Sequence, residues 1–265
     1  MTNNTLRQDQ TQSFIDLGHR LADTSRAILR GYYRRKLAVL DKADESPVTQ
    51  ADRECEAALR KLIAETFPEH GIFGEEFGTE RGDADFLWVL DPLDGTRAFI
   101  TGRPMFGTLV ALLYQDKPIL GLIDMPILGD RWIGAKDRPT LLNGEACTAR
   151  SCDGLAGAYL STVSPQAFPD TAAFGKFETV RGKVKNVSYG GDCYQYGMVA
   201  TGFIDVVVEA NLGIYDFLSL VPIIEGAGGI ITDWQGQALT RRSGDKVLAC
   251  GDARVHAEAL PLVAG

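Results

Sequence analysis

Five consecutive apolar residues, Phe86-Leu87-Trp88-Val89-Leu90, run straight into Asp91-Pro92-Leu93-Asp94-Gly95-Thr96. An unbroken apolar run of this length predicts a buried strand. It delivers two carboxylates to the strand's end, where burial is costly unless they are paired or bind a cation. Basic residues are sparse here, with Arg81 and Arg97 the only ones from Glu75 to Arg97. A second acidic element, Gly74-Glu75-Glu76, lies some residues upstream in a Gly-rich stretch. Hard oxygen donors in this combination suit Mg²⁺, which takes carboxylates, carbonyls, waters and substrate phosphates.

Pro92 fixes its own φ and predicts a turn over 91–94 that aims both carboxylates and the Leu93 carbonyl at one point. Gly95 and Thr96 would then open a helix, whose first N–H groups form a seat for phosphate. The competing reading is an ordinary Asp-Gly turn in which Asp94 caps that helix.

Around this centre the pattern alternates. Phe14, Leu17, Leu21 and Ile28, with Tyr32 beyond, predict a helix over 11–33. A second helix is predicted over 50–66, stopped by Pro68 and Gly71. Strands follow at 108–114 and 118–124, joined by a turn at Asp116-Lys117, then at 131–134, with a turn at Asn143-Gly144. Beyond residue 150 come strands at 158–163, 184–189, 206–208 and 230–232, and helices at 194–201 and 217–226. Pro222 must kink the last helix or mark its first turn. This order predicts layered α/β structure in two halves, 1–150 and 151–265.

Composition narrows the function. The formal charge of −8 disfavours nucleic acid, and also a small anion unless something cationic neutralises it locally. Five cysteines with no C-x-x-C spacing fit reduced thiols better than disulfides or a zinc ribbon. Three dispersed histidines give little support to a histidine metal site or a Ser-His-Asp triad. The polar N-terminus has no signal-peptide core and no stretch reaches the length of a membrane span, so a cytoplasmic protein without membrane partners is expected. No G-x-x-x-x-G-K-[ST] motif occurs, which argues against a P-loop kinase.

Gly74-Glu75-Glu76, the run from Trp88 to Phe99, and Tyr215-Asp216-Phe217 followed by Glu225-Gly226-Ala227-Gly228-Gly229 together resemble the inositol monophosphatase family. Tyr215 stands where that family usually has Trp, and the late glycine segment is also a small departure. The resemblance implies an α-β-α-β-α sandwich, a Mg²⁺-dependent phosphomonoesterase, and a homodimer. It implies that Glu75, Asp91 and the Leu93 carbonyl hold one Mg²⁺, and that Asp91, Asp94 and Asp216 hold a second. Glu75 would also help hold a weaker third ion. Leu93, Asp94, Gly95, Thr96 and Arg97 would meet the phosphate. Asp52, in Pro47-Val48-Thr49-Gln50-Ala51-Asp52, would hydrogen-bond Thr96, and the two, with Glu75, would activate water. The rival reading of Asp52 is a capping box with Thr49 as N-cap.

Within the family, the stretch Asp94 to Pro104 is most similar to the histidinol-phosphate phosphatase branch. By spacing from Asp216, Asp192 and Glu209 fall where family members contact the leaving alcohol. Two carboxylates there favour a cationic alcohol, and the aromatic-rich 190–196 segment offers ring stacking. The rivals are a loop turn for Asp192, a hydroxyl contact for Glu209, and plain solvation for Arg97 and Arg103. Two alternatives stay open: a broad inositol-type or polyol monophosphatase, and a non-catalytic Mg²⁺/phosphate-binding protein on the same fold.

Overall fold

In a computed structural model describing residues 8–35 and 47–264, two amphipathic helices come first, α1 (Gln8–Tyr32) and α2 (Pro47–Thr66). Helix α1 buries Phe14, Leu17, Leu21 and Leu29, so the apolar stripe ends on Leu29, while Ile28 flanks it. Helix α2 starts at Pro47, a residue preorganised for a first helical position. Thr49 is therefore already inside the helix, and it is not the N-cap that a capping box with Asp52 would need.

An eight-stranded sheet follows. Its strands are β1 (Gly71–Gly74), β2 (Gly78–Glu80), β3 (Phe86–Asp94), β4 (Gly107–Tyr114), β5 (Lys117–Asp124), β6 (Arg131–Ala135), β7 (Leu141–Leu142) and β8 (Glu145–Ala146), in the order β2-β1-β3-β4-β5-β6-β7-β8. The β4–β5 hairpin turns at Gln115-Asp116, one residue earlier than expected; both have positive φ, the geometry a two-residue hairpin turn demands. After β3 comes the short helix α3 (Thr96–Ile100).

A second, five-stranded sheet has the order β10-β9-β11-β13-β12, from β9 (Tyr159–Thr162), β10 (Asn186–Tyr189), β11 (Val206–Glu209), β12 (Ile230–Thr232) and β13 (Val247–Cys250). Its helices are α4 (Thr171–Arg181), α5 (Cys193–Ala200), α6 (Ile214–Phe217), α7 (Leu220–Gly226) and α8 (Ala253–Ala264). The single helix expected over 217–226 is two pieces. Pro222 lies in the first turn of α7 and has no N–H to offer the carbonyl of Leu218, so the helical ladder lapses there.

Strand alternation sorts the apolar residues into three cores. Trp88 and Leu90 face α1 and α2, whereas Leu87 and Val89 face the middle layer of α5, α6 and α7. On β11, Val207 joins that middle core, while Val206 and Val208 pack with Phe177 of α4 and Val255 of α8. Both sheets are thus covered on both faces, which is why their strands read as apolar runs rather than alternating ones. The layers run α-β-α-β-α, as expected. Among the described residues, no helix is long and apolar enough to cross a membrane.

Candidate active site

The acidic centre sits at the end of β3. Residues 91 and 94 of a regular strand would point to opposite faces. Here Asp91 pairs with Leu109 and Asp94 with Gly107, so three steps on β3 match two on β4. This β-bulge, rather than the expected turn, brings both carboxylates to one side. Pro92 is tolerated because a bulge spares its missing N–H. Its carbonyl accepts a 2.8 Å hydrogen bond from Thr108 Oγ1, which is itself paired with Ser25 on α1. Asp91 Oδ1 accepts from Leu93 N at 3.0 Å.

Gly95, with φ 84°, then turns the chain into α3, and a Cβ there would lie 2.7 Å from the Met105 carbonyl. Only glycine fits both demands. Asp94 does not cap α3. Its Oδ2 instead accepts the first N–H of α5, from Cys193 at 2.6 Å.

Asp216 arrives on α6 and accepts from Gly213 N at 2.7 Å. The α6–α7 segment lies close against the first sheet, where Cβ atoms on Gly121 and Gly134 would meet the carbonyls of Ser219 and Pro222 at 1.8 and 2.3 Å. Carboxylate oxygens of Asp91, Asp94 and Asp216 all fall within 4.8 Å of one another. Asp91 is buried, while Asp94 and Asp216 open onto a cavity of about 410 Å³ that also carries Glu75, Gly95, Thr96, Arg97, Asp192 and Glu209 on its walls.

Burial and mutual repulsion push these acids upward. Burial comes first for Asp91 and Asp94, followed by their acidic neighbours, and both are raised well above the usual carboxylate range. Burial raises Glu75 to about 7, with Asp216 adding, and raises Asp216 to about 6. The Gly213 amide pulls Asp216 back down, but not enough to offset burial. Among the described residues, none of the three aspartates is ion-paired with Lys or Arg. Clustered, cation-free oxygen donors of this kind fit a hard divalent metal.

Asp52 on α2 is 5% exposed, and burial followed by Glu75, Glu76 and Glu56 raises it to about 8. Among the described residues, its Oδ1 has no hydrogen-bond partner. The expected bond to Thr96 is not made, because Thr96 Oγ1 donates to the Leu93 carbonyl at 3.1 Å. The Leu93 carbonyl keeps a second lone pair.

Next to Gly95, whose added Cβ would lie 3.2 Å from its Cγ, Asp192 has φ 43° and ψ −139°, a conformation uncommon outside glycine. Burial raises it to about 6, against the pull of Arg103 and Arg97. Arg97 lines the cavity, and the Arg103 guanidinium lies against Gly190. Glu209 is 4% exposed and accepts from Val163 N at 2.9 Å and Tyr196 Oη at 2.6 Å. Burial raises it to about 7. Tyr194 packs edge-on against Trp132, and Tyr196, though buried, lies on the cavity wall.

Several supporting residues escaped the sequence reading: Thr108 and Ser25 beneath Pro92, the Cys193 N–H on Asp94, Tyr196 on Glu209, and Glu56 behind Glu75. Only Glu56 left a signal, its spacing of one helical turn from Asp52.

Fold and site together define a layered α/β enzyme with a cluster of buried carboxylates whose chemistry suits a hard cation. The chain belongs to the inositol monophosphatase family, whose model matches residues 10–264. It is a phosphoric monoester hydrolase of a metal-dependent family. It is 49% identical over 264 residues to the chloroplastic bifunctional phosphatase IMPL2 of Arabidopsis thaliana, covering 96% of this chain and 76% of that one. A histidinol-phosphatase of Chlorobaculum parvum is 31% identical, with 84% and 86% covered. The solved structure of an inositol monophosphatase from Zymomonas mobilis superposes with a TM-score of 0.90 at 48% identity, covering 95% and 98%.

Proposed function

We propose that this phosphatase hydrolyses L-histidinol phosphate to L-histidinol and phosphate with two or three Mg²⁺ ions, and so serves histidine biosynthesis. The observation that carries the substrate reading is the pair Asp192 and Glu209 on the wall of the cavity shared with Asp94 and Asp216. An alcohol with an ammonium and an imidazole gains from carboxylates there, and Arg97 and Arg103 offset part of that gain. Relatives named histidinol-phosphatase at 31–32% identity support the same reading.

In this reading Glu75, Asp91, Asp94, Asp216 and the Leu93 carbonyl hold the metal. Bound Mg²⁺ supplies positive charge for the phosphoryl oxygens and acidifies water. Asp94, Gly95, Thr96 and Arg97 seat the phosphate, with the amides of Gly95 and Thr96 at the start of α3. Asp52, with its unpartnered oxygen, accepts the proton from the attacking water; Thr96 turns its hydroxyl from Leu93 to orient that water, and Glu75 assists. The 1–150 and 151–265 halves act as one catalytic unit, and the protein is a cytoplasmic homodimer.

A phosphate-release panel with Mg²⁺ tests the substrate. Histidinol phosphate is expected to have the highest kcat/KM. A higher value for inositol 1-phosphate would instead support the second reading, a broad polyol monophosphatase, which the Zymomonas mobilis neighbour favours.

A further inference from the structure

Asp52, Glu56 and Arg60 recur every four residues on α2 and so stack along one face. Glu56 is fully enclosed, yet it neither joins the acidic centre nor lines the cavity. Its Oε2 accepts from the Glu76 amide at 2.7 Å, and its Oε1 accepts from the Phe77 amide at 3.2 Å and from Arg60 Nε at 2.7 Å. Arg60 donates onward to the Gly78 carbonyl. A Cβ on Gly74 would stand 2.0 Å from Glu56 Oε1, so the carboxylate occupies the space a side chain at 74 would need.

We propose that Glu56 is a positioning residue for Glu75. It presses on the chain at Gly74 and takes the amides of Glu76 and Phe77, so Glu75 is bracketed on both sides. Strand β1 pairs in parallel with β3 up to Gly74 and Leu90, and Glu75 N donates to the Leu90 carbonyl at 3.3 Å. With the backbone held there, Glu75 lies on the wall of the cavity that Asp94 and Asp216 share, beside the three-aspartate cluster and not within it. All three groups around Glu56 are donors, so an acceptor-only carboxylate matches them and an amide cannot. Arg60 pairs with Glu56 at 2.7 Å and so offsets part of the negative charge the clamp brings near the acidic centre. The Gly-Glu-Glu motif follows: the glycine admits the clamp, the first glutamate faces the metal, and the second supplies an amide.

This inference rests on the reading that Glu75 holds the cation, and the test separates the two. In full-length protein, Glu56→Gln is expected to raise the Mg²⁺ Kd about 10-fold by calorimetry without substrate, the scale of outer-shell changes at metal sites. In the metal-free protein the Glu76 and Phe77 amides are expected to exchange hydrogen faster, and saturating Mg²⁺ should restore most turnover. A lowered Tm with an unchanged Mg²⁺ Kd overturns the proposal. Glu75→Gln is the reference. If it binds Mg²⁺ like wild type, the reading of Glu75 as a ligand fails and the proposal with it. If it weakens binding while Glu56→Gln does not, only the positioning role fails. Should Glu56→Gln not fold, Gly74→Ala displaces the turn while keeping the Glu56–Arg60 pair, and an unchanged Mg²⁺ Kd there overturns the proposal equally.

Discussion

Two sets of acids lie inside this molecule, and they are treated in opposite ways. Asp124 is enclosed by Arg26 at 2.6 Å and Arg131 at 2.6 Å. Asp205 is held by Arg150 Nε at 2.7 Å and by the Tyr159 amide at 2.6 Å. Glu56 has Arg60 and two amides. By contrast, Asp91, Asp94 and Asp216 face one another, and Asp52 keeps an oxygen with no partner among the described residues. Pairing makes the first set structural. The second set carries an unbalanced electrostatic cost that a cation relieves, and that cost marks the site.

The largest effect expected from breaking this contrast is at Asp94. Asp94→Asn should reduce Mg²⁺-dependent turnover on the order of 10³-fold or more, since the site stabilises transferring charge. The same change should raise the metal-free Tm by roughly 2–4 °C, because it removes an unpaired charge. Calorimetry alongside a phosphate-release assay checks both signs. A fall in metal-free Tm would place Asp94 with the structural acids.

Asp124→Asn should do the reverse. Leaving Arg26 and Arg131 without their shared carboxylate costs about 3–5 kcal/mol, read as a lower denaturant midpoint, while turnover of the folded fraction changes little.

Metal and pH sharpen the contrast next. The raised acids bind more protons folded than unfolded, so their own contribution to metal-free stability should be full below about pH 4. It should be lost as pH rises through about 6 at Asp216, 7 at Glu75 and 8 at Asp52. Metal competes for those protons, so the Mg²⁺-induced rise in Tm should be larger at pH 8 than at pH 6. The stabilisation behind that rise should approach about 2.7 kcal/mol at a hundredfold excess over Kd. A Tm series with and without chelator tests this, and a rise equal at both pH values would break it.

The smallest effect concerns Asp192. Asp192→Asn should raise KM for histidinol phosphate about 10-fold, the scale of one charged hydrogen bond, and change KM for a neutral polyol phosphate far less. Equal changes would remove cation recognition from this residue.

Much of the site was legible because its residues are neighbours in the chain. An apolar strand running into Asp91-Pro92-Leu93-Asp94-Gly95-Thr96 carries its chemistry on its face. The layered fold was legible too, since runs such as Val206-Val207-Val208 require cover on both sides. The bulge was not legible, because a register shift belongs to two strands and only one was being read. The short strands β1, β2 and β13 escaped for a similar reason, each drawing its existence from a neighbour. The link between Thr96 and Asp52 was expected and is absent here, replaced by a bond within the turn itself.

By itself, the sequence determined the kind of chemistry: carboxylates at a strand end, a glycine where φ must be positive, and too few nearby cations to neutralise them. Tertiary structure alone decided which acids stay unpaired. Asp124 also ends an apolar run, and nothing along the chain shows that it, Glu56 and Asp205 will each meet an arginine. The two sets part company only when folding brings an arginine to one set and more carboxylates to the other, because charge compensation acts through space and not along the backbone.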